Sequence, residues 1–194
     1  MSMTRKLKNW ALTVGALAVS AAVHAAPPSG AMLSNACAGC HGTHGASAGL
    51  SMPSLAGQSK EVIVESMKKF KTGERPSTVM GRLAKGYTDA DFEAMGDFFA
   101  TQKPHYAAQT LDAKKVAKGK ELANKHCKRC HIENGKEGED GASLVAGQWL
   151  KYLQIQMDDY TSGKRKMVEK MEEKVKPLSK EDLDAINHFY ASVK

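Results

Sequence analysis

The chain has 194 residues, a quarter of them charged, with a formal net charge of +7 at neutral pH. Such a length suits one large domain or two small ones. The positive excess forms no basic block and has no interleaved aromatics, so nucleic acid is a poor partner.

At the N-terminus, Arg5, Lys6 and Lys8 precede an apolar run from Trp10 to Val23 that is too short to span a bilayer. Val23-His24-Ala25 then offers small residues at the two positions a signal peptidase reads. Residues 1–25 are therefore expected to be a cleaved signal peptide, and the mature protein to be periplasmic. Losing the three cations leaves a net charge of +4. No later segment is apolar enough for a membrane span.

The next feature is Cys37-Ala38-Gly39-Cys40-His41. Beyond it, Ser59 is placed to cap a helix carrying Ile63, Met67 and Phe70 on one face and stopping near Gly73. A loop, "GERPSTVMGRLAKGY", follows. Thr88 and Asp91 then have capping-box spacing ahead of Phe92, Met95, Phe98 and Phe99. The short join "QKPHYAAQT" comes next, and Asp112 can cap a helix running into Cys127-Lys128-Arg129-Cys130-His131. A final helix is expected after Ser179 and Asp182, with Leu183, Ile186, Phe189 and Tyr190 on its apolar face.

These features repeat. At an offset of 90, Cys37, Cys40 and His41 meet Cys127, Cys130 and His131, "LAGQ" meets "VAGQ", and Phe70, Gly73 and Arg75 meet Tyr160, Gly163 and Arg165. After one inserted residue, Asp91, Phe92 and Phe98 meet Asp182, Leu183 and Phe189 at an offset of 91. Two homologous domains follow, 27–103 and 110–194, joined by a linker over 104–109. No stretch sustains period-two alternation, so strands are not expected. The fold class is all-α: two tandem domains, each a few short helices around something that completes a small core.

The cysteine motif says what that is. Zinc would need four ligands close together, whereas the two pairs lie ninety residues apart. A redox pair would need a βαβ setting. A disulfide across two intervening residues would stabilise little and leaves the histidine unexplained. Covalent haem attachment uses all three residues: two thiols become thioether anchors and the next residue turns its imidazole under the iron. Two covalently bound haem c groups are expected, anchored by Cys37, Cys40, Cys127 and Cys130, with His41 and His131 as axial ligands.

The sixth ligand of the first haem is expected from Met80, a loop methionine seven residues before Tyr87. Counting back seven from Leu178 gives Met171 in the second copy, whereas counting forward from Arg165 leaves Met167 as a rival. His/Met ligation raises the reduction potential and leaves no open position on the iron. Met67, Met95 and Met157 read as core, and His44, His105, His126 and His188 as surface, linker or packing residues.

Four segments, "CAGCHGTHG", "STVMGRLAKGYTDADFEAM", "AGQWLKYLQ" and "KRKMVEKM", resemble dihaem class I cytochromes c. The closer likeness is to the cytochrome subunits of flavocytochrome c sulfide dehydrogenases. The resemblance implies a larger FAD-containing flavoprotein partner that oxidises sulfide, and a soluble cytochrome acceptor to which electrons pass. On that pattern the iron ligands are His41, Met80, His131 and Met171; the absence of a proline after Arg165 departs from it. This chain has no dinucleotide fingerprint and is not expected to be an enzyme by itself. The loop around Met80 is poor in acidic residues, whereas that around Met171 is crowded with Lys and Glu, so the first domain is expected to dock on the flavoprotein. The alternative is a free dihaem carrier between a membrane complex and a terminal oxidase or reductase.

Overall fold

The computed structural model of the protein describes residues 26–194. The expected signal peptide lies outside the described residues. The first half forms α1 (Gly30–Asn35), α2 (Ala38–His41), α3 (Lys60–Thr72), α4 (Met80–Leu83) and α5 (Asp89–Ala100). The second half forms α6 (Ala113–His126), α7 (Leu150–Thr161), α8 (Glu169–Val175) and α9 (Lys180–Ser192).

The local signals act as expected. The Ser59 hydroxyl accepts from the Val62 amide and opens α3, and Gly73 ends it in the left-handed region at φ 84°. Reciprocal capping boxes, Thr88 with Asp91 and Ser179 with Asp182, start α5 and α9. Asp112 accepts from the Lys114 and Lys115 amides at the head of α6. Each helix then buries its apolar face in one of two cores. Ile63, Met67, Phe92, Met95 and Phe99 build the first; Leu153, Ile186, Phe189 and Tyr190 build the second.

In each half an N-terminal helix crosses the C-terminal one, α1 over α5 and α6 over α9. A glycine makes each crossing possible. A Cβ on Gly30 would stand 2.2 Å from the Ala94 carbonyl oxygen, and one on Gly119 would stand 1.9 Å from that of Ala185. Backbones this close hold the Cys-x-x-Cys-His turn, which follows directly, at a fixed height against the last helix.

Two expectations need correction. Among the described residues there is one strand pair, a two-residue antiparallel ladder of β1 (His131–Ile132) and β2 (Glu137–Gly138). Asn134 and Gly135, both at positive φ, reverse the chain tightly enough for it to pair, and two residues are too few to show alternation. Met80, expected in a loop, opens the one-turn helix α4, started by the Ser77 hydroxyl accepting from its amide.

The two halves meet through a reciprocal pair of glutamines, one from each "AGQ". Gln58 donates to the Leu144 carbonyl at 2.7 Å and accepts from the Leu144 amide at 3.0 Å. Gln148 does the same to Ser54, at 2.8 and 2.9 Å. Ser54 and Leu144 are themselves repeat counterparts, so the junction has approximate two-fold symmetry. Trp149 adds a bond to the Ser47 carbonyl, and the linker's Gln109 is held by the Gln148 carbonyl and the Leu150 amide.

Candidate functional site: two Cys-x-x-Cys-His crevices

Each motif is a tight turn at the foot of its N-terminal helix. The His41 amide bonds to the Cys37 carbonyl at 2.9 Å, and the His131 amide to the Cys127 carbonyl at 3.0 Å. In each turn the first cysteine packs on the domain core, and Cys40 of the first is exposed. All four cysteines are unpaired. Burial pushes the Cys37 and Cys127 thiols up from their ordinary range, so neither favours a thiolate.

His41 is buried and oriented, whereas His131 is half-buried. His41 places Nδ1 2.9 Å from the Pro53 carbonyl oxygen, which leaves Nε2 to point away from the backbone. Burial holds its pKa below the usual imidazole value, with the Pro53 bond opposing. His131 is likewise lowered by burial, with the carbonyl of Ser143, the counterpart of Pro53, opposing. Its Nδ1 is nevertheless buried without a partner in good hydrogen-bond geometry. Two imidazoles held below the usual pKa, His41 with only Nδ1 engaged and His131 with an unpartnered Nδ1, are the donor chemistry that a metal takes.

On the first side, Met80 and Cys37 pack against the same core cluster. On the second side Cys127 packs against the second core. Met171 is half-buried on α8 and Met167 is half-buried in the segment before it. Met67 and Met95 are buried in the first core. Sequence reasoning missed Tyr190, whose hydroxyl contacts the Cys127 thiol and whose ring lies 5.7 Å from that of His131. Burial and the nearby thiol hold the phenol far above its ordinary pKa, so it remains protonated. The available signal was the repeat itself, which puts Phe99 where the second copy has Tyr190.

The family model for cytochrome c matches residues 29–103 and again 116–194. The chain belongs to the cytochrome c family. Its cytochrome c relatives include the cytochrome subunit of sulfide dehydrogenase from Chlorobaculum tepidum, 43% identical over 91 residues, which are 47% of this chain and 82% of that one. Cytochrome c4 from Azotobacter vinelandii is 30% identical over 182 residues, 84% of this chain and 85% of the relative. Among solved structures, reduced recombinant cytochrome c4 from Pseudomonas stutzeri superposes with a TM-score of 0.75 at 24% identity, over 85% of this chain and 97% of that one.

The protein is thus a dihaem cytochrome c, mostly helical, with two covalently bound haem c groups and electron transfer as its role. The residues present fit that cofactor: each half offers two free thiols, one of them packed on an apolar core, and a histidine whose pKa burial lowers. Among the described residues no helix is long and apolar enough to cross a membrane.

Proposed function

We propose that this cytochrome c is a periplasmic electron-transfer subunit. It accepts electrons from a FAD flavoprotein that oxidises sulfide and passes them to a soluble cytochrome acceptor. Cys37, Cys40, Cys127 and Cys130 anchor the haems, and His41 and Met80, then His131 and Met171, are the axial ligands. The domains are 27–103 and 110–194, with 104–109 as linker.

Bound haem supplies a one-electron Fe(III)/Fe(II) couple. The chain's own residues orient and shield it. Pro53 fixes the His41 ring through Nδ1, and the α4 turn holds the Met80 thioether at the crevice. Met171 over Met167 is supported by local geometry. The Met80 amide bonds to the Ser77 hydroxyl three residues before it, and the Met171 amide to the Val168 carbonyl, also three before. Four residues after each methionine stand buried Ala84 and Val175. Their carbonyls accept from the Tyr87 and Leu178 amides in turn. Met167 lies outside this correspondence.

The observation that carries the docking reading is an asymmetry of charge. Residues 26–59, which hold the first haem motif, contain no Lys, Arg, Asp or Glu, whereas their counterparts at 116–149 contain eleven. Met32, Leu50, Val79 and Leu83 are more than half exposed in the first half; in the second, among described large apolar residues, only Val168 is comparably exposed. A neutral, apolar face suits a lasting protein contact. The charged second face suits brief, salt-sensitive encounters with an acceptor. Sulfide as the substrate of the partner rests on the likeness to the Chlorobaculum tepidum subunit.

The end-to-end alignment with cytochrome c4 favours a second reading, a free dihaem carrier. Co-expression with a sulfide-oxidising flavoprotein separates the two. A stable complex is expected, lost in Val79→Glu and kept in Val168→Glu. A cytochrome that elutes alone supports the free carrier, and loss only in Val168→Glu reverses the docking face.

A further inference from the structure

The segment that carries Met80 is tied down from outside itself. Lys71 stands half-buried in the last turn of α3, and its Nζ donates to the Tyr87 carbonyl at 2.6 Å. The Tyr87 amide in turn bonds to the carbonyl of buried Ala84, which directly follows the α4 turn that Met80 opens. The Lys71 ammonium also lies over the Phe92 ring, 5.5 Å from its centre, and Phe92 belongs to the core on which Met80 packs. A second strap between the same two elements joins Lys68 to Asp89 at 3.5 Å.

The second half has the same positions without the clamp. Met67, Lys68, Lys71, Asp89 and Phe92 are replaced in the repeat by Met157, Asp158, Thr161, Lys180 and Leu183. The Thr161 hydroxyl turns back onto its own helix, to the Met157 carbonyl at 3.0 Å and the Asp158 carbonyl at 3.4 Å, and so does not reach the segment of Met171. These five residues border an open cavity of about 190 Å³, where the first half has Met67 and Phe92 buried. We propose that Lys71 is a positioning residue that locks the Met80 segment onto α3, so that the first haem holds its thioether more firmly than the second. The inference rests on the ligation proposed above. A bond from a charged donor is the stronger kind, and this one closes a chain of contacts from α3 to the ligand turn. The lock also suits the proposed docking face. Val79 and Leu83, both more than half exposed, flank Met80, so a partner seated on them presses on the ligand segment itself.

The test is ligand exchange in the full chain carrying both ferric haems. Imidazole is added, and loss of the near-infrared band of sulfur-ligated haem is followed in time. Met171→Ala leaves a band from the first haem alone, and Met80→Ala one from the second alone. The first haem is expected to exchange more slowly than the second. Lys71→Met keeps the apolar stem over Phe92 and removes the donor; it should speed exchange at the first haem by about tenfold and leave the second unchanged. Lys71→Arg keeps a charged donor and should stay near the wild-type rate. Haem loss in Lys71→Met but not in Lys71→Arg would also support the donor's role. Equal acceleration or equal haem loss in both variants would assign Lys71 to packing and overturn the proposal. So would an unchanged rate in Lys71→Met, or a first haem that exchanges as fast as the second in the unaltered clamp. A full-height band in Met80→Ala is a different failure: it would overturn the Met80 ligation, and this inference with it.

Discussion

At the scale of single residues, the proposed ligation pairs the imidazole of each cysteine motif with a thioether from a later turn of the same domain. His41 is fixed by one bond to a proline carbonyl, and proline suits that place because its carbonyl is free and its φ is restricted. Met80 is held by the first turn of α4. The ligand assignment makes a direct prediction. Met80→Ala and Met171→Ala should each remove about half of the near-infrared band of sulfur-ligated ferric haem, with Met167→Ala leaving it intact. Loss on Met167→Ala alone in the second domain would show that the repeat is aligned from the wrong end. The haem c cofactor was legible because the Cys-x-x-Cys-His spacing alone points to it. Tyr190 was not, because its contact with Cys127 exists only once the last helix has crossed back over the motif.

At the scale of elements, the helices were legible where their signals are local. A cap and its third residue are neighbours in sequence, so Ser59, Thr88, Asp112 and Ser179 could be read before any packing was known. Thr88→Ala and Ser179→Ala should each destabilise the holoprotein by about 1 kcal/mol in denaturant unfolding. The partner carboxylates Asp91 and Asp182 have pKa values held below the usual range, Asp91 by bonds from Thr88 and Asp182 by Lys118 and then Ser179. A depressed folded pKa stabilises above the unfolded carboxylate value and is lost as pH falls through the folded one. The caps should therefore contribute fully at neutral pH and fade only in acid, below the range where ordinary carboxylates titrate. The thermal midpoint of the Ser179→Ala variant should approach that of wild type as pH drops; a constant gap would count against the capping box. The one-turn helix at Met80 and the short ladder after His131 escaped notice because pieces of two to four residues have no periodicity to detect.

At the scale of the whole molecule, the repeat was legible but the way its halves meet was not. "AGQ" stood out as recurring text, yet Gln58 and Gln148 act across 86 to 94 residues of chain, which no local pattern encodes. Each glutamine meets a buried backbone amide and carbonyl on the other side. Removing its side chain strands both, so Gln58→Ala or Gln148→Ala should cost roughly 2–4 kcal/mol of junction stability. The expected outcome is faster proteolysis in the 104–109 linker, with each domain's haem spectrum unchanged. Equal cleavage rates in wild type and variants would mean that the junction is held elsewhere, by the Trp149 bond to Ser47 or the Arg75 bond to Gln156. A rigid junction keeps the two crevices at a fixed separation, which a relay between haems requires.

On the proposed ligation, both haems are saturated carriers that exchange electrons and bind no substrate. The most direct measurement is a reductive titration of the purified native protein, followed by carbon monoxide. Two one-electron steps per chain are expected, and no change in the reduced spectrum on adding carbon monoxide, if His and Met fill both axial positions as proposed. A carbon monoxide adduct at either haem, or turnover of peroxide, would contradict it and recast the protein as an enzyme with an open iron.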